Sequence, residues 1–353
     1  MSRGARRVQL VTGLFSCLLC LAGIGVAASR SERSSLAEAW CHKATQVMGT
    51  LAEAEIFGES EEDACRTAKD VLEIFRQVDV IFSTYKPESP VSLLNRHSPR
   101  ALTPAPAPLV NLVLEAERYS RLSGGAFDVT IWPLIQLWGF QENRADRRPP
   151  TKRRVRKTSD RIGFQRVAVD KQENSLAFSR GGMGFDFGGI AKGYALDLAA
   201  EMLSSRGVEQ ALVDLGRSFF CRGWQSDGEG WILGIQHPTE PDSMIDTIRV
   251  ADQFVSSSGN YERYLIWDGV RYGHILDPKT GWPAKKSLST TVIAPQGTAS
   301  DALSTAVFVL GPRKGLKLLE SIPDVEGIIY YEKRGALRSV ETSGFGRYRA
   351  PMD

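Results

Sequence analysis

The stretch "DFGGIAKGYALDLAAEML", residues 186–203, constrains the fold more than any other part of the sequence. Gly188 and Gly189 follow Asp186, and Lys192 then opens a segment whose apolar residues recur at helical spacing. A glycine-rich turn leading into a helix exposes free N–H groups to an anion, and a lysine there adds positive charge for a phosphate. Neither GxxxxGK[ST] nor GxGxxG is present. The stretch therefore predicts either a phosphate-binding turn or a tightly packed helix start.

Helical and strand patterns alternate on both sides of this turn. The sequence predicts a strand within residues 44–60, an amphipathic helix within 60–85 and a second helix over 107–125 that ends at a glycine pair. Further segments predict two strands (207–216 and 231–237) and a helix pair interrupted at Gly311–Pro312 (298–322). Because regular βαβ repetition is missing, the pattern favours an α+β fold over a doubly wound sheet.

Composition is that of an ordinary globular enzyme. The chain has 353 residues, of which 42% are apolar and 24% charged, and its formal net charge is +3. This charge is too small to indicate a nucleic-acid or membrane partner, so we expect no nucleic acid to be bound. Nine Lys or Arg residues between Arg144 and Arg161 form either a polyanion patch or a solvated loop and helix face, and the second interpretation is the simpler one.

The N-terminus predicts export. Basic residues precede the apolar run "VQLVTGLFSCLLCLAGIGV", and the small residues of "VAAS" follow it. We expect residues 1–28 to be a signal peptide or a lipoprotein signal acylated at Cys17; a retained membrane anchor is the alternative. Residues 29–41 are then a linker and 42–350 a single domain, on the periplasmic side of the cytoplasmic membrane.

Three cysteines remain in the mature chain, so at least one is a free thiol. A bridge between Cys41 and Cys65 is possible, while no Cys/His cluster has zinc spacing.

Three further stretches carry residues suited to chemistry. In "SGGAFDVT", residues 123–130, two glycines allow close approach of backbone to a ligand, although a helix cap explains them as well. In "GHILDPKTGWP", residues 273–283, His274 follows a predicted hairpin and precedes an Asp-Pro turn, where an imidazole can act as a general base. In "TASDALSTAVFVLG", Asp301 and Thr305 share a helix face and offer oxygens to a hard cation, although an N-cap also explains the aspartate.

Taken in order, these stretches resemble the ApbE-type family of FAD:protein FMN transferases. The resemblance runs from about Val47 to Leu310 and also includes "MGT", "FSTYKPESPVSLLN" and "SSSGNY". It implies an α+β, two-lobed fold with mixed or antiparallel sheets flanked by helices and an FAD cleft between the lobes. It also implies Mg²⁺-dependent transfer of FMN from FAD to a Thr or Ser hydroxyl of an exported flavoprotein, with release of AMP.

The resemblance assigns residue roles by position. His274 matches the proposed base, and we infer in addition that Asp277 orients its ring. The metal site matches the Gly189 carbonyl, Asp301 and Thr305. The positions that contact FAD match Met48, Tyr85, Ala126, Phe127, Asp128, Asp186, Lys192 and Ile275.

Two alternatives stay open. A Mg²⁺-dependent FAD pyrophosphatase would break the same bond with water as the acceptor, and an exported FAD-binding protein would do no chemistry. The sequence also departs from the family at "VDLGRSFF", where Arg217 stands in place of a second glycine.

Overall fold

An eight-stranded antiparallel sheet organises the molecule. The computed structural model describes residues 39–140, 148–224, 229–240, 242–260 and 264–351, so the predicted signal and lipidation site lie outside the described residues. The strands of the described part are Ala39–Val47 (β1), Thr50–Gly58 (β2), Thr103–Pro104 (β3), Val167–Asp170 (β4), Ser175–Phe178 (β5), Ala211–Leu215 (β6), Ser218–Arg222 (β7), Trp231–Gln236 (β8), Met244–Val250 (β9), Gln253–Gly259 (β10), Tyr264–Trp267 (β11), Val270–Gly273 (β12), Leu276–Asp277 (β13), Trp282–Pro283 (β14), Ser289–Ala294 (β15), Glu326–Lys333 (β16) and Ala336–Glu341 (β17). The large sheet has the order β1-β2-β6-β7-β10-β15-β16-β17.

The helices of the described part mostly match the expected segments. They are Glu61–Phe82 (α1), Pro90–His97 (α2), Ala107–Leu122 (α3), Trp132–Trp138 (α4), Lys152–Ser159 (α5), Ala191–Ser205 (α6), Gly297–Leu310 (α7) and Pro312–Leu319 (α8). Ser60 caps α1 by accepting a hydrogen bond from the Asp63 N–H at 3.2 Å. Among the described residues, no helix is both long and apolar enough to cross a bilayer.

Both faces of the sheet are buried, because successive strand residues point to opposite faces. Phe220, Phe254 and Val292 face a layer formed by α1, α6 and α7. The residues that follow them in sequence, Cys221, Val255 and Ile293, pack under the β8–β9 hairpin on the other face. The sheet is therefore the middle layer of the domain, and its helical face carries the stretches singled out in the sequence.

A smaller apolar cluster holds the elements beside the sheet. Leu134 and Trp138 of α4 pack with Val155 of α5 and with Leu265 and Leu276 from the two hairpins β11–β12 and β13–β14. The Trp138 indole N–H donates to the Gly281 carbonyl at 2.8 Å, which fixes the β13–β14 turn on this cluster. The fold is α+β with antiparallel strand pairs, as expected.

Two details differ from the expected boundaries. The segment 44–60 forms two strands rather than one, because Met48 and Gly49 adopt positive φ and reverse the chain between β1 and β2. In addition, β1 begins at Ala39, inside the segment 29–41 that was expected to be a linker.

Candidate functional site

The start of α6 and the first turns of α7 meet at a close helix crossing. A Cβ atom added to Gly193 would lie 2.1 Å from the Gly297 carbonyl oxygen, and one added to Gly297 would lie 2.3 Å from the Gly193 carbonyl oxygen. Since no side chain fits between the two backbones, both positions require glycine. This close approach brings the glycine-rich turn and the Asp301 stretch together.

Asp301 and Thr305 both face the turn that precedes α6. The Asp301 side chain is buried, and its Oδ2 accepts a hydrogen bond from the Gly193 N–H at 3.0 Å. A Cβ atom at Gly189 would lie 2.9 Å from the Thr305 Oγ1 and 3.2 Å from the Phe127 ring. The structure therefore brings together the expected metal ligands Gly189, Asp301 and Thr305 and places the Phe127 ring against them.

The donor atoms at this point suit a hard divalent cation. Carboxylate, hydroxyl and backbone carbonyl oxygens are the ligands that Mg²⁺ and Ca²⁺ prefer. Within the described ranges, no group of three His, Cys, Asp or Glu side chains is placed to hold a metal.

Lys192 connects the start of α6 to the turn between β6 and β7. Its Nζ donates to the Ser218 Oγ at 3.1 Å and to the Gly216 carbonyl at 3.4 Å. A Cβ atom at Gly216 would lie 2.4 Å from the Thr50 Oγ1, so the turn that contains Met48 lies directly beside it. The "MGT" stretch and Lys192 thus border the same edge of the sheet.

Arg217 occupies the second position of the tight β6–β7 turn. Gly216 and Arg217 both have positive φ, of 60° and 69°, which a two-residue hairpin of the type I′ class requires. Asp214 Oδ1 accepts from the Arg217 N–H at 2.9 Å, and the Arg217 guanidinium donates to the Gln236 side chain. The departure from a glycine pair therefore places a strained arginine next to the partner of Lys192.

The "SGGAFDVT" stretch leaves α3 and turns towards the glycine-rich turn. Gly124 and Gly125 have φ values of 60° and 80°, and the Ser123 Oγ accepts a hydrogen bond from the Phe127 N–H at 3.0 Å. The Val129 carbonyl accepts from the Asp186 N–H at 2.7 Å, which joins this stretch to the turn before α6. A concavity of about 360 Å³ is lined by Gly124, Gly125 and Asp128 among others.

Asp128 is held by its own turn. Its Oδ1 accepts from the Thr130 N–H at 2.8 Å and from the Thr130 Oγ1–H at 2.6 Å. Burial raises the pKa of Asp128 to about 6, and the two hydrogen bonds oppose that rise.

The segment that contains His274 packs against the same region. Ile275 lies in one buried cluster with Ala126 of the "SGGAFDVT" stretch and with Phe308, one helical turn beyond Thr305 on α7. His274 itself is half-buried at the end of the β11–β12 hairpin. The Asn260 Nδ2 donates to the Ala284 carbonyl at 3.1 Å, so "SSSGNY" supports this segment.

Asp277 stabilises the turn that follows. Its Oδ1 accepts from the Lys279 N–H at 2.9 Å, and its carbonyl accepts from the Gly281 N–H at 2.8 Å. The expected orientation of the His274 ring by Asp277 stays a prediction.

Tyr85 and the end of α1 complete the surroundings. Tyr85 is 56% exposed, and Phe82, three residues earlier, packs edge-on against Phe187 with ring centroids 5.1 Å apart. The end of α1 therefore contacts the turn that contains Asp186 and Gly188, where the Gly188 N–H donates to Asp186 Oδ1 at 2.9 Å.

Two supporting features were missed from the sequence. The Asp197 carboxylate accepts from the N–H groups of Gly297 and Thr298 at 2.6 and 2.9 Å and so caps α7 from α6. The Ser258 Oγ lies 2.8 Å from the Ser304 Oγ and 3.4 Å from the Thr305 Oγ1. Asp197 and Ser258 both lie within stretches singled out in the sequence. Their partners are distant in the chain, so only the fold reveals these contacts.

The chain matches one protein family over most of its length. The model of the ApbE family matches residues 48–329. An FAD:protein FMN transferase of Haemophilus influenzae is 30% identical over 81% of this chain and 87% of its own length, and one of Escherichia coli K12 is 30% identical over 81% and 82%.

Solved structures give the same result. Flavin transferase ApbE from Vibrio cholerae superposes with a TM-score of 0.79 at 27% identity, covering 88% of this chain and 99% of its own. The ApbE protein of Thermotoga maritima superposes with a TM-score of 0.80 at 31% identity, over 88% and 100%.

Proposed function

The chain belongs to the ApbE family, and from this premise we propose that it is an FAD:protein FMN transferase that depends on Mg²⁺. The observation that carries the proposal is the meeting of Gly189, Asp301 and Thr305 at the α6–α7 crossing. In support of the proposal, these residues offer oxygen atoms that would bind a cation, and they lie beside a helix start that would bind phosphates. A carrier that only held FAD would have no need for a metal site at the phosphates.

The proposed substrate position follows from the groups around that crossing. The Lys192 ammonium and the N–H groups at the start of α6 would bind the diphosphate of FAD. Phe127 and the exposed Tyr85 would cover the flavin or adenine ring, with Met48, Ala126, Asp128, Asp186 and Ile275 as the remaining contacts. When bound through Gly189, Asp301 and Thr305, Mg²⁺ would neutralise charge on the diphosphate as a Lewis acid.

The proposed reaction is a group transfer between two oxygens. The hydroxyl oxygen of an acceptor Thr or Ser forms a bond to the phosphorus of the FMN half, and the bond from that phosphorus to the bridging oxygen breaks. AMP leaves with the bridging oxygen, and His274 accepts the hydroxyl proton as general base, with Asp277 as its proposed orienting group. The acceptor thus gains FMN through a phosphoester.

We also propose that the protein is exported and acts on an exported flavoprotein, with lipidation at Cys17 as an additional attachment to the membrane. Support comes from the apolar N-terminal run and from the Cys41–Cys65 disulfide, since disulfides persist in oxidising compartments.

The test uses purified protein, FAD, Mg²⁺ and a recombinant acceptor domain that carries an Asp-x-x-(Ser/Thr)-Gly-Ala-Thr-like segment. We expect AMP release and a mass increase of the acceptor by one FMN, and we expect EDTA to abolish both. For His274→Ala we expect unchanged FAD binding and transfer slowed by about 10²- to 10⁴-fold, the usual contribution of a general base.

Two results would contradict the transferase assignment, and a third would contradict only the role of His274. AMP release at the same rate without acceptor would indicate a pyrophosphatase. Mg²⁺-independent FAD binding without turnover would indicate a binding protein. Wild-type transfer by His274→Ala would remove the base while leaving the transferase proposal intact.

A further inference from the structure

Helix α5 carries a dense group of positive side chains on its solvent side. Its single apolar residue, Val155, is buried, whereas the residues we call the basic face are exposed: Lys152, Arg153, Arg154, Arg156 and Lys157. Among the ion pairs of the described part of the chain, none involves a member of the basic face. Their charges are therefore not neutralised by neighbouring carboxylates within that part of the chain.

The charge is concentrated in this segment rather than spread over the molecule. Residues 148–161 contain seven Lys or Arg and one Asp, a net charge of +6, whereas the whole chain has +3. The rest of the chain is thus net negative by three charges. A local excess of one sign attracts a partner of the opposite sign and increases its rate of association.

Three contacts connect this segment and the residue Gly163 just after it to the candidate site. The buried side of α5 contacts the turn after Asp277, since a Cβ atom at Gly281 would lie 2.5 Å from Val155 Cγ1. Beyond the helix, the Gly163 N–H donates at 2.6 Å to the Thr130 Oγ1, which itself donates to Asp128. The Arg161 guanidinium then lies beside Gly182, just before the glycine-rich turn.

We propose that the basic face is a docking surface for an acidic surface of the acceptor protein, which it holds so that the acceptor hydroxyl reaches His274. This inference rests on the proposed transferase function. FAD does not account for the basic face, because Lys192 and the start of α6 already provide for its phosphates and the basic face points to solvent from the opposite side of α5. Because α5 packs on the turn after Asp277, a protein docked on α5 would lie near the segment that contains the proposed base.

The test compares two triple variants of equal charge and spacing. One is Arg153→Gln/Arg154→Gln/Lys157→Gln on α5, and the control is Arg313→Gln/Lys314→Gln/Lys317→Gln on α8, which packs on β16 and β17 at the far edge of the sheet. Glutamine preserves helix propensity in both. For transfer to an acceptor domain with an acidic surface, we expect the α5 variant to raise the acceptor KM at least about tenfold at low salt.

The expected effect depends on salt and on the size of the acceptor. The rise in acceptor KM should be large at about 0.01 M salt, where the Debye length is ~30 Å. It should be absent at about 1 M salt, where the Debye length is ~3 Å. The KM for FAD, and transfer to a short peptide containing only the acceptor segment, should equal those of the wild type.

Several outcomes would overturn the inference. If the α5 and α8 variants raise the acceptor KM equally, the effect comes from the net charge of the protein and not from the basic face. If the α5 variant raises only the KM for FAD, the basic face serves the entry of FAD instead. Weaker cosedimentation of the α5 variant with phosphatidylglycerol vesicles at unchanged acceptor KM would assign it to a membrane. If the wild type modifies no acceptor, the proposed function fails as well; if it does and the α5 variant matches it, only the docking surface fails.

Discussion

Two carboxyl groups beside the candidate site, those of Asp128 and Asp214, hold their protons more tightly than an exposed aspartate does. Burial raises the pKa of each to about 6 from an ordinary value of 3.8. At a pH between 3.8 and about 6, the folded chain keeps protons on these two carboxyl groups that the unfolded chain has lost. The free energy of unfolding therefore falls as the pH rises through this window, and the loss is complete above about pH 6.

Replacing Asp128 by asparagine removes its share of this pH-dependent loss of stability. The amide oxygen can still accept both hydrogen bonds from Thr130, while no charge has to be buried at neutral pH. We expect Asp128→Asn, without ligand, to gain up to about 3 kcal/mol over the wild type at pH 7.5 and only about 1 kcal/mol at pH 4.5. Urea unfolding at the two pH values measures this; an equal gain at both would contradict the burial of charge as the cause.

Residue identities indicated which segments would meet better than they indicated backbone conformation. His274, Asp301 and Thr305 stood out because of their type and spacing, and the fold brings their segments together. Arg217 could not be interpreted from the sequence, because arginine rarely adopts a φ of 69° and only the pairing of β6 with β7 imposes it. A residue's role in a turn thus became clear only from the register of the strands around it.

The crossing of α6 and α7 is the element on which the candidate metal site depends. The backbones approach closely at Gly193 and Gly297, and the Gly193 N–H is a partner of the Asp301 carboxylate. A methyl group at Gly193 must push the helices apart, because it would meet a backbone carbonyl rather than a flexible side chain. The proposed metal ligands, Asp301 and Thr305 on α7 and Gly189 just before α6, would separate with them.

We therefore expect Gly193→Ala to lower the free energy of unfolding by about 1–3 kcal/mol, the usual result of overpacking. It should also weaken Mg²⁺ binding, measured by calorimetry in the presence of FAD. Gly181→Ala is the matched control, since nothing lies within 4 Å of a Cβ atom there, and it should behave like the wild type. If Gly193→Ala loses stability while Mg²⁺ affinity is unchanged, the crossing does not position the ligands.

Local patterns predicted helices well and their contacts poorly. The periodicity of α1 and α3 is strong enough to predict both helices from sequence. The capping of α7 by Asp197 depends on a residue 100 positions away from Gly297, so no local rule reveals it. Likewise, the packing of β8–β9 over one face of the sheet follows from long-range burial that alternating strands alone do not specify.

At the scale of the whole molecule, one covalent link ties the edge of the sheet to the helical layer. Cys41 of β1 and Cys65 of α1 form a disulfide across 24 residues, which the sequence left as one possibility among the three cysteines that follow the N-terminal apolar run. Cys221, the third, is fully buried under the β8–β9 hairpin, and burial raises the pKa of its thiol. It is therefore neither a partner for exchange nor a reactive nucleophile.

The disulfide should contribute measurable stability, because it shortens the loops available to the unfolded chain. For a loop of this size, removing it should cost about 3 kcal/mol. We expect Cys41→Ala/Cys65→Ala to have a lower Tm than the oxidised wild type and to be insensitive to dithiothreitol, whereas reductant should bring the wild type down to the variant. The Cys221→Ala variant should retain the full response to reductant. A wild type whose Tm is the same in both redox states would show that the link adds nothing to stability.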